Sequence, residues 1–143
     1  MEEKINILII DDEPRVADEI EEFLHTRDYT VFKANVPSKA FKVLEKENIN
    51  IVILDIKLPE MDGIEACSRI KEMPLLSNTM AIFLSARNED FTQIAAFDAG
   101  GDDYMSKPVK PKILLKKIAS ILKRMNSGKI ENHIIELGNI IIN

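Results

Sequence analysis

Short runs of apolar, mainly β-branched residues alternate along this 143-residue chain with longer segments whose apolar residues recur every three or four positions. Such runs are typical of buried strands, and the wider spacing predicts amphipathic helices. Five strand–helix pairs follow one another with no internal repeat. Because strands joined through helices run parallel, the pattern predicts one α/β domain built on a five-stranded parallel sheet.

Breaks in the two patterns place the boundaries of these elements. Pro37 suits the first turn of a helix, and Gly100 and Gly101 can take the left-handed conformation that ends one. Asp62 and Glu65 form a capping-box-like pair before another helix. The predicted strands are Ile5–Ile10, Tyr29–Ala34, Ile51–Asp55, Met80–Leu84 and Asp103–Met105, and the predicted helices are Glu13–His25, Pro37–Glu47, one that follows Asp62, Asn88–Ala99 and Lys110–Met125.

Composition narrows the class of protein. The single Cys67 cannot form a disulfide within the chain and is predicted to be a buried apolar residue, which suits a reducing compartment. No apolar run approaches the roughly 20 residues that a membrane span needs. A net charge of -5 argues against direct binding of nucleic acid, which requires a basic face. We therefore expect a soluble, cytoplasmic domain.

The pattern changes after the last helix, whose apolar stripe contains Ile113, Leu114, Ile118, Ile121 and Leu122. Asn126–Gly128 breaks that helix, and the isoleucine-rich end of the chain resembles one or two strands. We assign residues 1–125 to the domain, and residues 126–143 to a linker and the first β-strand or strands of a missing output domain. Exposed isoleucines need a partner, and a disordered terminus is the alternative.

Acidic residues end two of the predicted strands, and a lysine follows a third. Asp11 and Asp12 come after the first strand, Asp55 ends the third, and Lys107 follows the fifth. In open α/β sheets the carboxyl ends of the strands form one crevice, so we expect these side chains to meet. Clustered carboxylates repel one another unless a hard cation such as Mg²⁺ binds. The alternative for each acid alone is a solvated strand end or a helix cap.

The same residues suit phosphoryl transfer. An aspartate carboxylate can attack phosphorus to give an acyl phosphate, and a metal ion with Lys107 would neutralise charge on the transferring oxygens. Ser85, after the fourth strand, offers a hydroxyl donor. His25 and His133 lack partners at metal-ligand spacing, so we expect solvated or capping roles for them.

In order and spacing, these residues resemble the motifs of response-regulator receiver domains. The matching segments are Asp11-Asp12, Asp55 with the motif from Leu58 to Gly63, Ser85-Ala86, and the motif from Gly101 to Pro108, within about residues 4–125. The resemblance implies a flavodoxin-like, doubly wound sheet of strand order 2-1-3-4-5. It also implies a two-component system, in which a sensor histidine kinase supplies the phosphoryl group.

The resemblance implies a role for each matching residue. Asp55 would be the phosphoacceptor, and Lys107 would bind a phosphoryl oxygen. Asp12 and Asp55 would be Mg²⁺ ligands together with the backbone carbonyl of Lys57, while Asp11 would act through water.

Further positions would switch or tune the site. Ser85 would move to hydrogen-bond the phosphoryl group, and Tyr104 would turn inward behind it, which alters the face of helix four, strand five and helix five. Pro108 would follow a cis peptide bond. Lys57 and Arg87 would tune the lifetime of the acyl phosphate. The alternatives are a half-buried strand aromatic for Tyr104 and solvated surface cations for Lys57 and Arg87.

The end of the chain indicates a subclass. Residues 136–142 resemble the first strand of the winged-helix output domain in transcription factors of the OmpR/PhoB type. That resemblance implies a phosphorylation-dependent homodimer through helix four, strand five and helix five, with DNA bound only by the missing domain. Asp103 and Lys117 occupy the positions of an intersubunit ion pair. Gln93 and Ile113 stand where a second charged pair is usual, so an apolar contact is expected there.

We therefore expect a regulatory domain that catalyses phosphoryl transfer to its own Asp55 and hydrolysis of the product, and not an enzyme for other substrates. The alternative is a stand-alone receiver that signals by docking to a partner protein. A small-molecule phosphotransferase is disfavoured because the first strand lacks Asp-x-Asp, and a Rossmann domain because Gly-x-Gly-x-x-Gly is absent.

Overall fold

The computed structural model describes residues 4–76, 78–86 and 90–125. The strands are β1 (Asn6–Ile10), β2 (Thr30–Ala34), β3 (Ile51–Asp55), β4 (Met80–Ser85) and β5 (Asp103–Ser106). The helices are α1 (Pro14–His25), α2 (Pro37–Lys46), α3 (Gly63–Glu72), α4 (Asp90–Asp98) and α5 (residues 111–125). All strand pairs are parallel and the order is β2-β1-β3-β4-β5, which is the predicted flavodoxin-like fold.

Helices cover both faces of the sheet, and the strand residues divide between two core layers. One layer contains Leu8, Leu54 and Phe83 and is covered by α2, α3 and α4. The other contains Ile9 and Ile53 and is covered by α1 and α5. All five residues of β3 are buried, as expected for a central parallel strand with helices on both sides.

The predicted elements are present, with boundaries that differ by at most one residue wherever both ends are described. β4 and β5 each extend one residue further than predicted, because Ser85 and Ser106 pair with each other at their ends. A 3-10 turn at Pro74–Leu76 precedes β4 and was not predicted. Cys67 is buried as predicted, and Gly100 has the left-handed φ of 102° that ends α4.

The apolar stripe of α5 has a buried part and an exposed part. Ile113 is 43% exposed, whereas Leu114, Ile118 and Ile121 are fully buried, because the buried stripe of α5 is narrower than its apolar sequence. The capping-box-like pair predicted for α3 is only half present. Asp62 does cap α3 by accepting from the Glu65 amide at 2.8 Å, but the Glu65 carboxylate pairs with Arg69 at 3.0 Å and does not complete a capping box.

The predicted linker and tail, residues 126–143, lie outside the described residues. Within the described part of the chain, none of the helices combines the length and apolar character that crossing a bilayer requires.

Candidate functional site

Parallel pairing brings the ends of β1, β3 and β5 to one edge of the sheet. Ile10 pairs with Leu54, so Asp11 and Asp55 come next to each other on neighbouring strands. The Lys107 amide donates to the Ser85 carbonyl oxygen at 2.7 Å, which holds the residue after β5 against the end of β4. The side chain of Lys107 then crosses the end of β4 to reach the carboxylates. The edge therefore collects residues that lie almost 100 positions apart in the chain.

Lys107 is the centre of the charged cluster. Its Nζ lies 2.9 Å from Asp55 Oδ2, 3.1 Å from Asp11 Oδ2 and 3.2 Å from Glu13 Oε1. The contacts with Asp55 and Glu13 are hydrogen bonds, whereas the contact with Asp11 has the distance of an ion pair without hydrogen-bond geometry. One ammonium group thus faces three carboxylates.

Burial and charge act in opposite directions on the pKa values of this cluster. Burial raises the pKa of Asp11 above its usual value, although the Glu13 amide and Lys107 oppose the change. Burial alone would lower the pKa of Lys107, but the adjacent Asp55 and Asp11 carboxylates outweigh it and raise that pKa. Lys107 is therefore charged at any physiological pH, and ionised Asp11 is held at a cost in free energy.

The donor set fits a hard cation. Asp11, Asp12, Glu13 and Asp55 each offer an oxygen, and these four atoms all lie within 4.8 Å of one another. Asp11 Oδ2 is buried and accepts no hydrogen bond from the described residues. Mg²⁺ is usually bound in proteins through one or two carboxylates together with water, and this group of oxygens can supply those carboxylates. The predicted ligands Asp12 and Asp55 belong to this set, and Asp11 lies beside them.

The loop between β3 and α3 holds the backbone of Asp55 from behind. A Cβ added to Gly63 would come within 2.0 Å of the Asp55 carbonyl oxygen, so the loop can pack this closely only with glycine. The Gly63 amide also donates to the Ile56 carbonyl oxygen at 2.7 Å. Farther along the loop, Glu60 has a φ of 72°, and its carboxylate accepts from the Ser38 amide and hydroxyl at 2.9 Å. The loop is thereby tied to the first turn of α2.

The remaining predicted site residues lie around this cluster. Lys57 is exposed, and its amide donates to Asp55 Oδ1 at 3.3 Å. Ser85 is buried at the end of β4. Tyr104 is half-buried and packs against the core layer that contains Phe83. Arg87 lies outside the described residues. The peptide bond between Lys107 and Pro108 is cis, as predicted.

The predicted dimer face contains an ion pair within the chain, where an ion pair between subunits was expected. Lys117 on α5 contacts Asp103 on β5 within the same chain, with 2.9 Å between Nζ and Oδ1. Three large apolar side chains on α4 and α5 are exposed: Ile94, Phe97 and Ile113. The face therefore combines an internal ion pair with exposed apolar surface.

Glu13 is the one member of the cluster that the sequence analysis did not identify. The sequence pattern predicts Glu13 as the first residue of a helix, where acidic side chains interact favourably with the helix dipole. In the structure it is the N-cap residue of α1, but its side chain makes no capping hydrogen bond and contacts Lys107 instead. The signal available in the sequence was its position directly after the two aspartates.

Comparison with known proteins agrees with this geometry. The model of the response regulator receiver domain family matches residues 7–119. The chain is 30% identical over 125 residues to the transcriptional regulatory protein SrrA of Staphylococcus aureus; the match covers 87% of this chain and 51% of SrrA. The chain thus spans about half the length of the curated relatives it matches.

Two solved structures show the same similarity. DrrB, a Thermotoga maritima OmpR/PhoB homologue, is 30% identical with a TM-score of 0.77, over 85% of this chain and 54% of that one. A BeF3-activated DrrB receiver domain is 29% identical with a TM-score of 0.77, over 85% of this chain and 99% of that one. With the motifs in place at the carboxyl edge of the sheet, the chain belongs to the response regulator receiver domain family of two-component systems.

Proposed function

We propose that this domain is switched by phosphorylation and accepts a phosphoryl group on Asp55 from a sensor histidine kinase. The observation that carries the proposal is the environment of Asp55. Its side chain is 7% exposed, lies 2.9 Å from the Lys107 ammonium and belongs to the set of carboxylates that fits a divalent cation. A carboxylate nucleophile beside a fixed cation and a metal-binding set meets the needs of phosphoryl transfer to an acid.

The proposed transfer uses groups that the site already positions. An Asp55 carboxylate oxygen forms a bond to phosphorus while the bond from phosphorus to the donor imidazole nitrogen breaks, and that nitrogen keeps the electron pair. Lys107 stabilises charge on a phosphoryl oxygen, and the Ser85 hydroxyl donates to another. Asp12, Asp55 and the Lys57 carbonyl would hold Mg²⁺, with Asp11 acting through water. The bound ion would supply further neutralisation of the phosphoryl oxygens.

Readout of the phosphoryl group would involve Ser85 and Tyr104. Ser85 ends β4, and Tyr104 lies in β5, which is part of the α4–β5–α5 face. The two strands are paired, with Phe83 opposite Tyr104. A movement of Ser85 toward the phosphoryl group would let Tyr104 turn inward. Hydrolysis of the acyl phosphate, at a rate tuned by Lys57 and Arg87, would reset the domain. On this proposal the domain catalyses only its own phosphorylation and dephosphorylation.

The longer protein would be a cytoplasmic transcription factor of the OmpR/PhoB type. Similarity to SrrA and DrrB supports this, because the first is a transcriptional regulatory protein and the second an OmpR/PhoB homologue. DNA would be bound by an output domain beyond the receiver, for which residues 126–143 would supply the linker and first strand.

Phosphorylation would favour a homodimer through α4, β5 and α5. The exposed Ile94, Phe97 and Ile113 give this face an apolar surface that a partner can bury. Asp103 and Lys117 would have to exchange their internal contact for one between subunits. Such an exchange would replace each internal ion pair with one between subunits, so the number of ion pairs would stay the same.

The test is intact-mass analysis of this chain and of Asp55→Asn after incubation with Mg²⁺ and acetyl phosphate, with light scattering on the same samples. We expect one phosphoryl group on the wild type, none on the variant, and dimers only where the phosphoryl group is present. Phosphorylation without dimers would favour the alternative of a receiver that docks to another protein. No Mg²⁺-dependent phosphorylation, with acetyl phosphate or with a histidine kinase, would contradict the proposed function.

A further inference from the structure

Lys107 makes one contact that phosphoryl transfer does not require. Its Nζ donates to Glu13 Oε1 at 3.2 Å, across 94 positions of sequence. Glu13 occupies the N-cap position of α1, where a side chain ordinarily accepts from an amide of the first turn. Glu13 makes no such bond. Its carboxylate accepts a hydrogen bond from Lys107 and does not cap the helix.

Glu13 differs from the other carboxylates at Lys107 in its access to water. The Glu13 side chain is 61% exposed, whereas those of Asp11 and Asp55 are 0% and 7% exposed. A buried carboxylate that lost its cation would remain without solvation, but Glu13 can exchange Lys107 for water at little cost. Of the three carboxylates around Lys107, Glu13 is therefore the one suited to leave.

We propose that Glu13 competes with the phosphoryl group for Lys107: it holds the ammonium while Asp55 is unmodified and releases it when a phosphoryl oxygen arrives. The inference rests on the proposed function, because it assigns the exchange partner of the residue that would bind the phosphoryl group. If both anions bound the same ammonium, two negative charges would lie within roughly 5 Å of each other, where like charges repel appreciably. Glu13 thus lowers the affinity of the site for phosphoryl-like anions.

The same carboxylate has the opposite effect on a cation. Glu13 is one of the four acids whose oxygens lie within 4.8 Å of one another. Removing its charge weakens Mg²⁺ binding to the anion-free site, while anion binding at saturating Mg²⁺ becomes stronger. Glu13 therefore favours Mg²⁺ binding to the unmodified site and opposes binding of the phosphoryl group to the metal-loaded site.

The experiment is a titration of the full chain with beryllofluoride, a phosphoryl mimic, at saturating Mg²⁺, with the bound species followed by fluorine NMR. Glu13→Gln should bind beryllofluoride roughly threefold to tenfold more tightly than the wild type, the range expected for one partly screened charge. Glu22→Gln is the matched control, because it removes an exposed charge of α1 that lies over two helical turns away. Its affinity should stay within about twofold of the wild type.

Glu13→Asp separates competition for Lys107 from a general effect of charge. It keeps the negative charge but is one methylene shorter, so the contact with Lys107 is lost. Competition predicts that Glu13→Asp also binds beryllofluoride more tightly than the wild type. Wild-type affinity in Glu13→Asp, or an equal gain in Glu22→Gln, would overturn the inference.

A second readout needs no anion and no metal. The NMR signal of the Lys107 ammonium should shift in both Glu13 variants and stay unchanged in Glu22→Gln; an unchanged signal in Glu13→Gln would also overturn the inference. If the wild type itself failed to bind beryllofluoride with Mg²⁺, the proposed function would fail, and the role of Glu13 with it. Binding by the wild type with no change in the Glu13 variants would refute the role of Glu13 alone.

Discussion

At the amino edge of the sheet one lysine meets one aspartate, whereas at the carboxyl edge one lysine meets three acids. Lys71 Nζ lies 3.0 Å from Asp102 Oδ2, and the two side chains are 19% and 23% exposed. Lys107 and its partners Asp11 and Asp55 are buried to a greater extent. Both edges thus hold charges largely away from water, but they balance them differently.

The polar groups at the amino edge form hydrogen bonds with one another. Asp102 Oδ2 also accepts from the Ala81 amide at 2.8 Å, and Lys71 also donates to the Thr79 carbonyl oxygen. The Thr79 hydroxyl donates to the Ile49 carbonyl oxygen at 3.1 Å. These bonds join the end of α3 to the starts of β4 and β5. The arrangement is the kind that supports a fold, because no ligand is needed to complete it.

The carboxyl edge carries a surplus of negative charge and a buried oxygen, Asp11 Oδ2, that accepts no hydrogen bond from the described residues. Proteins contain charges that oppose folding mainly at sites where a bound ligand interacts with those charges. Imbalance of charge, and not burial of charge as such, therefore distinguishes the carboxyl edge from the amino edge.

The largest expected effect comes from Gly63→Ala, which would disturb the functional edge through its backbone. The added Cβ would lie 2.0 Å from the Asp55 carbonyl oxygen, so the loop must move. We expect a loss of roughly 3 kcal/mol in the free energy of unfolding, measured by urea denaturation, and a lower phosphorylation rate. An unchanged urea midpoint would mean that the loop does not have to pack against Asp55.

Mg²⁺ should raise the free energy of unfolding by slightly less than Gly63→Ala lowers it, because the ion neutralises part of the surplus negative charge. At a concentration of 100 times the dissociation constant, binding to the folded state alone adds about 2.7 kcal/mol. Thermal unfolding with and without Mg²⁺ measures this, and Asp12→Ala should abolish most of the gain. If Mg²⁺ stabilised Asp12→Ala as much as the wild type, the metal would bind elsewhere.

At the amino edge we expect the removal of one partner to destabilise the fold. Asp102→Ala leaves Lys71 without its carboxylate and the Ala81 amide without its acceptor, at a cost of about 2 kcal/mol. Asp18→Ala is the control, because Asp18 pairs with Lys33 at 2.9 Å on the exposed surface. Its cost should stay below about 0.5 kcal/mol. If both variants lost the same free energy of unfolding, the pair of Lys71 and Asp102 would stabilise the fold no more than an exposed ion pair does.

The smallest expected effect has the opposite sign. Burial raises the folded-state pKa of Asp11, so the ionised carboxylate opposes folding, and Asp11→Asn should stabilise the domain by about 1 kcal/mol at pH 7 while impairing Mg²⁺ binding. This penalty is fully present above the raised pKa and absent below the ordinary value of 3.8. The gap between variant and wild type should therefore close as the pH falls. A destabilised Asp11→Asn at pH 7 would contradict the account of the charge surplus.

Most of the fold and of the functional edge could be predicted from local sequence. Apolar runs that end in Asp55 or are followed by Asp11 identify strands and their ends, and parallel topology then brings those ends together. Contacts between side chains of elements that are distant in sequence could not be predicted, because they depend on the direction in which each side chain points. The pairing of Lys71 with Asp102 spans 31 positions, and the turn of Glu13 toward Lys107 spans 94. Helical periodicity likewise does not settle whether Ile113 lies inside or beside the buried stripe of α5.

We infer that the charge surplus at the carboxyl edge serves phosphorylation of Asp55. The most direct test is to phosphorylate the wild-type chain with acetyl phosphate and Mg²⁺, reduce the acyl phosphate with borohydride, and locate the resulting homoserine by peptide sequencing. We expect homoserine at position 55 alone. Homoserine at position 11 or 12, or none in a sample that carries a phosphoryl group, would contradict it.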